Sequence, residues 1–328
     1  MQQKILIRLP NWLGDLVMST AFVKAVYEIY PNAIVDIIIK QGIDVLLDNF
    51  PPHRKKYIFS KQQYKGLRGA WKFGKEIAAQ EKYDFFFCLP DSLSSAVMAK
   101  ASGATKRVGY TKELRSLFLT NAFTKKQNIH RVEEYVDLLQ QFANTKVLNI
   151  AVGLNATAIE KRNALIININ SEASSRRLPK EKAISIINTI QSTINEEIIL
   201  IGSEKEKPFV EEVYNSLPNK NNVTNFAGQT AIPQLINLMA SCKAMLTTDS
   251  GPAHVANAVG LQTIVLFGAG NENNTAPYNV SNREIIRLGQ LPCEPCTKNI
   301  CKQFGVPECL LRLDENRIAQ AIKKALNQ

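Results

Sequence analysis

The residues best placed to do chemistry lie in Thr247-Thr248-Asp249-Ser250-Gly251-Pro252-Ala253-His254. The apolar run Ala244-Met245-Leu246 before them reads as a buried strand. Pro252 opens a short helix and Gly260 closes it. Thr263–Phe267 reads as the next buried strand. Asp249-Ser250-Gly251 therefore falls at a strand-to-helix switch on the carboxyl edge of a parallel sheet. Free backbone N–H groups there favour an anion, above all a phosphate, and Gly251 lets the backbone come close. Asp249 repels phosphate but suits hydroxyls such as a ribose diol. His254, one turn into the helix, faces the same crevice. The plainer alternative is that Asp249 or Ser250 only caps the helix. Arg176 and Arg177, just before Pro179, are placed to clamp a phosphate at the same sheet edge; the alternative is a solvated charge pair.

A second site centres on Asp15, which follows the first strand in Asn11-Trp12-Leu13-Gly14-Asp15. The glycines of a dinucleotide fingerprint are missing. A carboxylate on such a loop suits a general base, and equally suits the positive end of the helix it opens. Cys293, Cys296, Cys301 and Cys309 bring four thiols within 17 residues. They read as a structural zinc site or as a thiol-rich loop. Cys88 and Cys242 read as core.

The elements that must carry these residues alternate. Lys4–Leu9, Ile34–Ile39, Phe85–Leu89 and Arg107–Gly109 read as strands. Helices are expected from Asp15 to about Tyr30, over 61–80, over Ser92–Ser102 and over His130–Phe142. Residues 153–163 are polar and irregular and read as a linker. Beyond it, strands Ala164–Ile169 and Glu197–Ile201 alternate with helices from Pro179, over Glu206–Ser216 and over Ile232–Ala240; Asp314–Leu326 is a last helix. This is the doubly wound α/β pattern twice over, in domains 1–152 and 164–328.

The chain of 328 residues carries a net charge of +11, unevenly spread. Residues 1–152 hold 22 basic against 13 acidic side chains, and the remainder 18 against 16. An anionic partner is expected on the first half. No acidic residue interrupts the stretch between Asp48 and Glu76. Within it Lys61, Lys65, Arg68 and Lys72 are spaced by four, three and four, so they are expected on one helix face, as an anion-binding surface or a solvated one. The N-terminus runs straight into a strand containing Arg8, and the longest uncharged run is broken by Pro252 and several glycines. A cytosolic chain is expected. No helix-turn-helix, zinc-finger or RNA-recognition signature is present, so no nucleic-acid partner is expected.

Three motifs in order, Asn11-x-x-Gly14-Asp15, Arg176-Arg177-x-Pro179 and Asp249-Ser250-Gly251-x-x-His254-x-Ala256, resemble the heptosyltransferases of lipopolysaccharide core assembly, glycosyltransferase family 9. The runs Leu89-Pro90-Asp91-Ser92, Leu200-Ile201-Gly202-Ser203 and Asn225–Thr230 agree, and the likeness is greatest to the family's second heptosyltransferases. The resemblance implies a GT-B fold, two Rossmann-like domains facing across a cleft, acceptor in the first and donor in the second. It implies an inverting, metal-independent transfer from ADP-L-glycero-β-D-manno-heptose, requiring no cofactor. Asp15 matches the catalytic base, and Asn11 and Gly14 its acceptor-side loop. Asp249, Ser250, Gly251 and His254 match the donor loop. Arg176 stands where the family often has Lys, which keeps the charge and alters the geometry. Thr230 and Glu206 match donor-side positions by spacing. The acceptor implied is phosphorylated Kdo-lipid A or its heptosylated core, so the basic face of Lys61, Lys65, Arg68 and Lys72 is expected on the cytoplasmic surface of the inner membrane. With Asp15 and Arg176 in different domains, closure is expected to assemble the site. A relative using another sugar, a nucleotide-sugar epimerase on the same fold and a non-catalytic binder of anionic ligands are the other readings.

Overall fold

The computed structural model describes residues 2–157 and 160–327, and Ala158 and Ile159 of the expected linker lie outside them. Chain contacts divide the molecule into residues 1–153 and 154–328. The first unit runs β1 (Lys4–Arg8), α1 (Leu13–Met18), α2 (Thr20–Ile29), β2 (Ile34–Lys40), β3 (Lys55–Phe59), α3 (Gly66–Gln80), β4 (Phe85–Cys88), α4 (Leu93–Ala101), β5 (Lys106–Tyr110), β6 (Asn121–Phe123) and α5 (Arg131–Ala143). The second runs β7 (Ala164–Asn168), α6 (Lys180–Gln191), β8 (Glu197–Leu200), α7 (Lys207–Asn215), β9 (Val223–Asn225), α8 (Ile232–Ser241), β10 (Ala244–Thr248), α9 (Gly251–Ala258), β11 (Gln262–Phe267), α10 (Glu272–Thr275), β12 (Arg283–Arg287), α11 (Glu308–Leu311) and α12 (Glu315–Leu326).

Each unit is built on a six-stranded parallel sheet, ordered β3-β2-β1-β4-β5-β6 in one and β12-β11-β10-β7-β8-β9 in the other. The order is the same Rossmann order in both. The expected α/β class is what the structure has. Right-handed crossovers that turn leftward and rightward from the centre leave helices on opposite faces. In the first unit α2 packs with α5, and α3 with α4. Phe22, Phe85, Phe87 and Phe142 fill one face with edge-to-face contacts, and Tyr57, Phe59, Tyr64 and Phe73 fill the other.

Two expectations are corrected. The helix after Asp15 is broken at Ser19, because Ser19 and Thr20 turn their hydroxyls back onto the carbonyls of Leu16 and Val17 at 2.6 and 2.7 Å. The expected helix over 61–80 begins only at Gly66. Ahead of it Lys55–Phe59 is an edge strand with Tyr57 and Phe59 turned inward. Tyr64 is pinned in the core by stacking on Phe59 and by a 2.5 Å bond from its hydroxyl to Glu76. Gly66 takes φ +60°, a left-handed geometry that ends any helix arriving from Lys61. Lys61 thus sits in a turn and Lys65 at the N-cap; only Arg68 and Lys72 ride on α3. Short strands β3, β6, β9 and β12 at the sheet margins were not in the sequence reading.

Asp36 ties the first sheet's edge together. It is fully buried on β2, accepts from Arg54 Nη2 at 2.5 Å and from the Lys55 amide at 3.0 Å, and receives the Tyr83 hydroxyl at 2.5 Å. Breaking a buried pair leaves its partners uncompensated, so Asp36→Ala should destabilise the first unit by about 3–5 kcal/mol in urea unfolding; a loss under about 1 kcal/mol would show the pair to be dispensable.

Candidate functional site

The two candidate sites occupy equivalent places in the two units. In a parallel sheet the crevice for a ligand opens outside the carboxyl ends of the strands, where the crossovers diverge. In the second unit this is between β7 and β10. The loop after β7 carries Arg176 and Arg177, the loop after β8 Glu206, the loop after β9 Thr230 and the loop after β10 Asp249 and Ser250. The sheet thus gathers residues spread from 176 to 250 along one edge.

Asp249 is 4% exposed and Ser250 is the N-cap of α9, yet neither side chain caps the helix. The Ser250 hydroxyl donates to the Thr248 carbonyl at 3.1 Å and accepts from Asn168 Nδ2 at 3.0 Å. The Asp249 carboxylate lies 3.3 Å from Arg176 Nη1. Among the described residues, Asp249 Oδ2, Arg176 Nε, Asn170 Oδ1 and Arg177 Nε are buried without hydrogen-bond partners. Buried polar groups left this way are costly, and Asp249 Oδ2 is the oxygen that makes the 3.3 Å ion pair with Arg176. Burial raises the Asp249 pKa, against the pull of Arg176 and Arg287, while Glu272 adds to the rise. Arg177 donates to the Ser171 carbonyl at 3.2 Å and lies over the Phe209 ring, so of the two arginines Arg176 is the one turned to Asp249. Glu206 accepts from the amide and hydroxyl of Ser203 at 2.8 and 2.7 Å at the start of α7. His254 is buried in α9 and Thr230 half-buried before α8.

Sequence reasoning missed what stands behind Asp249. A Cβ on Gly270 would fall 2.0 Å from Asp249 Oδ2, so only glycine leaves room for the carboxylate. Arg287 holds this loop by binding both Glu272 oxygens, at 2.9 and 2.5 Å, and the Gly268 carbonyl at 2.7 Å. The Gly-Ala-Gly run at 268–270 was the available signal, hidden because a glycine pair alone reads as a turn.

In the first unit the crevice lies between β1 and β4. Buried Arg8 donates to Asn11 Oδ1 at 2.5 Å and so fixes the loop that delivers Gly14 and Asp15. Asp15 enters the first turn of α1. Burial raises its pKa; Arg131 pulls it down, Glu134 pushes it up, Lys125 pulls it down and a hydrogen bond from Tyr135 favours the anion. A half-buried carboxylate above its usual range, on an open sheet edge, is suited to take up a proton. Arg131, Glu134, Lys125 and Asp91 around it were not singled out from the sequence. Trp12, three residues earlier, is exposed with the Lys40 ammonium 6.0 Å from its ring centre.

Lys61, Lys65, Arg68 and Lys72 are all exposed on the first unit, as are Leu67 and Trp71 beside them. Lys72 has a 4.0 Å contact with Glu76, whereas Arg54 and Lys56 of the same basic stretch are engaged by Asp36 and Asp48. Of the clustered cysteines, Cys309 is buried and Cys293, Cys296 and Cys301 are half-buried. Cys309 packs in the core against Gly268, and its thiol is pushed up to about 11, by burial first and then by Glu294, Cys296 and Cys301. Among the described residues no three His, Cys, Asp or Glu side chains are grouped to hold a metal ion.

Gly270→Ala should cost about 1–3 kcal/mol of stability by driving Asp249 from its place. In an Asp249→Ala background the same change should cost less than half as much, since the clashing carboxylate is gone. Equal costs in the two backgrounds, measured by urea unfolding, would break the link between Gly270 and Asp249.

Residues 70–306 match the model of glycosyltransferase family 9 (heptosyltransferase). The chain is 25% identical over 98% of its length to lipooligosaccharide heptosyltransferase 2 of Campylobacter jejuni, covering 98% of that protein. It is 25% identical over 87% of its length to lipopolysaccharide heptosyltransferase 2 of Escherichia coli, covering 88% of it. The structure of E. coli ADP-heptose lps heptosyltransferase II superposes with a TM-score of 0.82 at 22% identity, over 99% of each chain. With the family match spanning most of the sequence, and the same fold carrying the three motifs to the edges of its two sheets, the chain belongs to glycosyltransferase family 9, the heptosyltransferases.

Proposed function

We propose that the protein transfers heptose from ADP-L-glycero-β-D-manno-heptose to the phosphorylated inner core of lipopolysaccharide, with inversion at the anomeric carbon and no metal in the reaction. The observation that carries this reading is Asp15: a carboxylate with its pKa raised by burial, at the mouth of the first sheet, in a chain of this family. The similar proteins named above, lipooligosaccharide and lipopolysaccharide heptosyltransferases 2, support the sugar and the acceptor.

Asp15 takes the proton of the acceptor hydroxyl as that oxygen attacks the anomeric carbon. The bond from that carbon to the diphosphate breaks on the opposite side, and ADP leaves with the extra negative charge. Arg176 meets this charge, aided by the amide end of α9 behind Ser250. Asp249, released from Arg176, accepts from the ribose hydroxyls. A fixed guanidinium and a helix terminus supply the stabilisation that a divalent cation would otherwise give. The acceptor is anionic and lipid-borne, which suits the basic face at Lys61, Lys65, Arg68 and Lys72. Among the described residues no helix is long and apolar enough to cross a membrane, and the protein works peripherally, on the cytoplasmic side.

Incubation with ADP-heptose and a heptose-deficient lipopolysaccharide tests the reading. Transfer supports it, free altered sugar makes the protein an epimerase, and no change in either leaves a binder. Asp15→Asn should lower transfer on the order of a hundredfold or more with ADP affinity unchanged. Asp249→Ala and Arg176→Ala should each weaken ADP binding by about 1.5–3 kcal/mol in calorimetry. Near-normal turnover of Asp15→Asn would sink the base, and unchanged ADP affinity in both others would move the nucleotide elsewhere.

The four-residue change Lys61, Lys65, Arg68 and Lys72 to Gln should reduce binding to anionic vesicles and raise the acceptor KM, at about 1 kcal/mol per basic residue near the surface. ADP affinity should stay level. Vesicle binding equal to wild type and indifferent to salt would return this face to ordinary solvation.

A further inference from the structure

Asp15 does not stand alone. Its Oδ1 lies 3.9 Å from Arg131 Nε. Arg131 Nη1 donates to Glu134 Oε1 at 3.1 Å, and Lys125 Nζ donates to the same oxygen at 2.7 Å. Lys125 also donates to Asp91 Oδ2 at 2.5 Å, and Asp91 Oδ1 accepts from Arg115 Nη1 at 3.2 Å. Arg115 is 1% exposed and anchored on the carbonyls of Tyr110 and Pro90. The six side chains alternate in sign from Asp15 inward to a guanidinium that cannot move.

Arg131 is the first residue of α5. A cation there opposes the helix dipole, so it does not serve the helix. Its neighbours Glu133 and Glu134 in the first turn already do. We infer that Arg131 acts on the transfer reaction through Asp15, as a positioning residue that keeps the carboxylate ionised, while Glu134, clamped by Lys125, holds the guanidinium beside it. The inference rests on Asp15 acting as the base. The charged and titratable groups facing Asp15 are Arg131, Glu134 and Tyr135 from α5 and Lys125 from the loop before it. Burial alone would protonate Asp15 at a higher pH; an opposite charge at this range typically lowers a carboxyl by about one unit or more. An ionised base is the active form, so activity is lost as pH falls through the Asp15 pKa. Removing Arg131 raises that pKa and moves the acid limb of kcat/KM upward.

The test compares wild type, Arg131→Met and Arg131→Lys by pH profiles of transfer and by carbon-13 NMR titration of the Asp15 side-chain carboxyl, assigned with Asp15→Asn. Arg131→Met should shift the acid limb and the NMR midpoint up together by about one unit, with kcat on the alkaline plateau within about threefold of wild type. Arg131→Lys should recover most of the shift, and Lys125→Met should give a smaller shift of the same sign. An unmoved NMR midpoint in Arg131→Met overturns the inference, whether or not the variant is active. So does an equal loss at every pH, or a raised acceptor KM with an unmoved limb, which would make Arg131 an acceptor contact. If Asp15→Asn keeps its turnover, the base assignment fails, and the NMR arm still reports whether Arg131 sets the Asp15 charge.

Discussion

Both candidate crevices follow from the divergence of crossovers at the centre of a parallel sheet. Strands β1 and β4, and likewise β7 and β10, are hydrogen-bonded neighbours whose following loops turn to opposite sides. Backbone groups within the sheet are spent on neighbouring strands, so the polar groups free to act are those just past the carboxyl ends. Asp15, Asp91, Arg176 and Asp249 all lie there. Moving any one of them to the opposite edge would take it out of the crevice, whatever its chemistry.

The two sites solve the problem of a half-buried carboxylate differently. Asp15 faces several charges of both signs in a graded chain, and burial is opposed by cations at some distance. Asp249 is more deeply enclosed and faces Arg176 directly, with Arg287 behind. In both, burial is the largest influence and pushes the pKa up. The first arrangement leaves a half-buried carboxylate among mixed charges; the second leaves a cation and an anion each lacking part of its hydrogen bonding.

The basic stretch after Asp48 divides into paired and outward-facing parts. Arg54 joins buried Asp36 to Glu81 at the surface, and Lys56 meets Asp48. Lys61, Lys65, Arg68 and Lys72 face outward, as do Leu67 and Trp71 beside them. The spacing of the four lysines and arginines implied a helix, but the inward Tyr57 and Phe59 and the left-handed Gly66 impose a strand, a turn and then a helix.

The sequence by itself determined the class of fold, because apolar strand runs and amphipathic helices alternate with periods that local physics imposes. It also determined which short motifs carry charge at strand ends: Asp15, Arg176, Asp249 and their glycines are legible from type and spacing. Edge strands were not, since three to five half-exposed residues such as Asn121–Phe123 have no periodicity to read and gain strand form only from a neighbour. Nor were the partners. Arg131 lies 116 residues beyond Asp15, and Gly270 lies 21 beyond Asp249. Only the tertiary structure decided that Arg176 faces Asp249 while Arg177 turns to Phe209, that Glu206 turns back onto Ser203, and that Asp15 is wired through Arg131 and Lys125 to Arg115. The reason is physical: the charge state and aim of a side chain depend on what burial removes and what stands within a few ångströms, and neither is a property of the local chain.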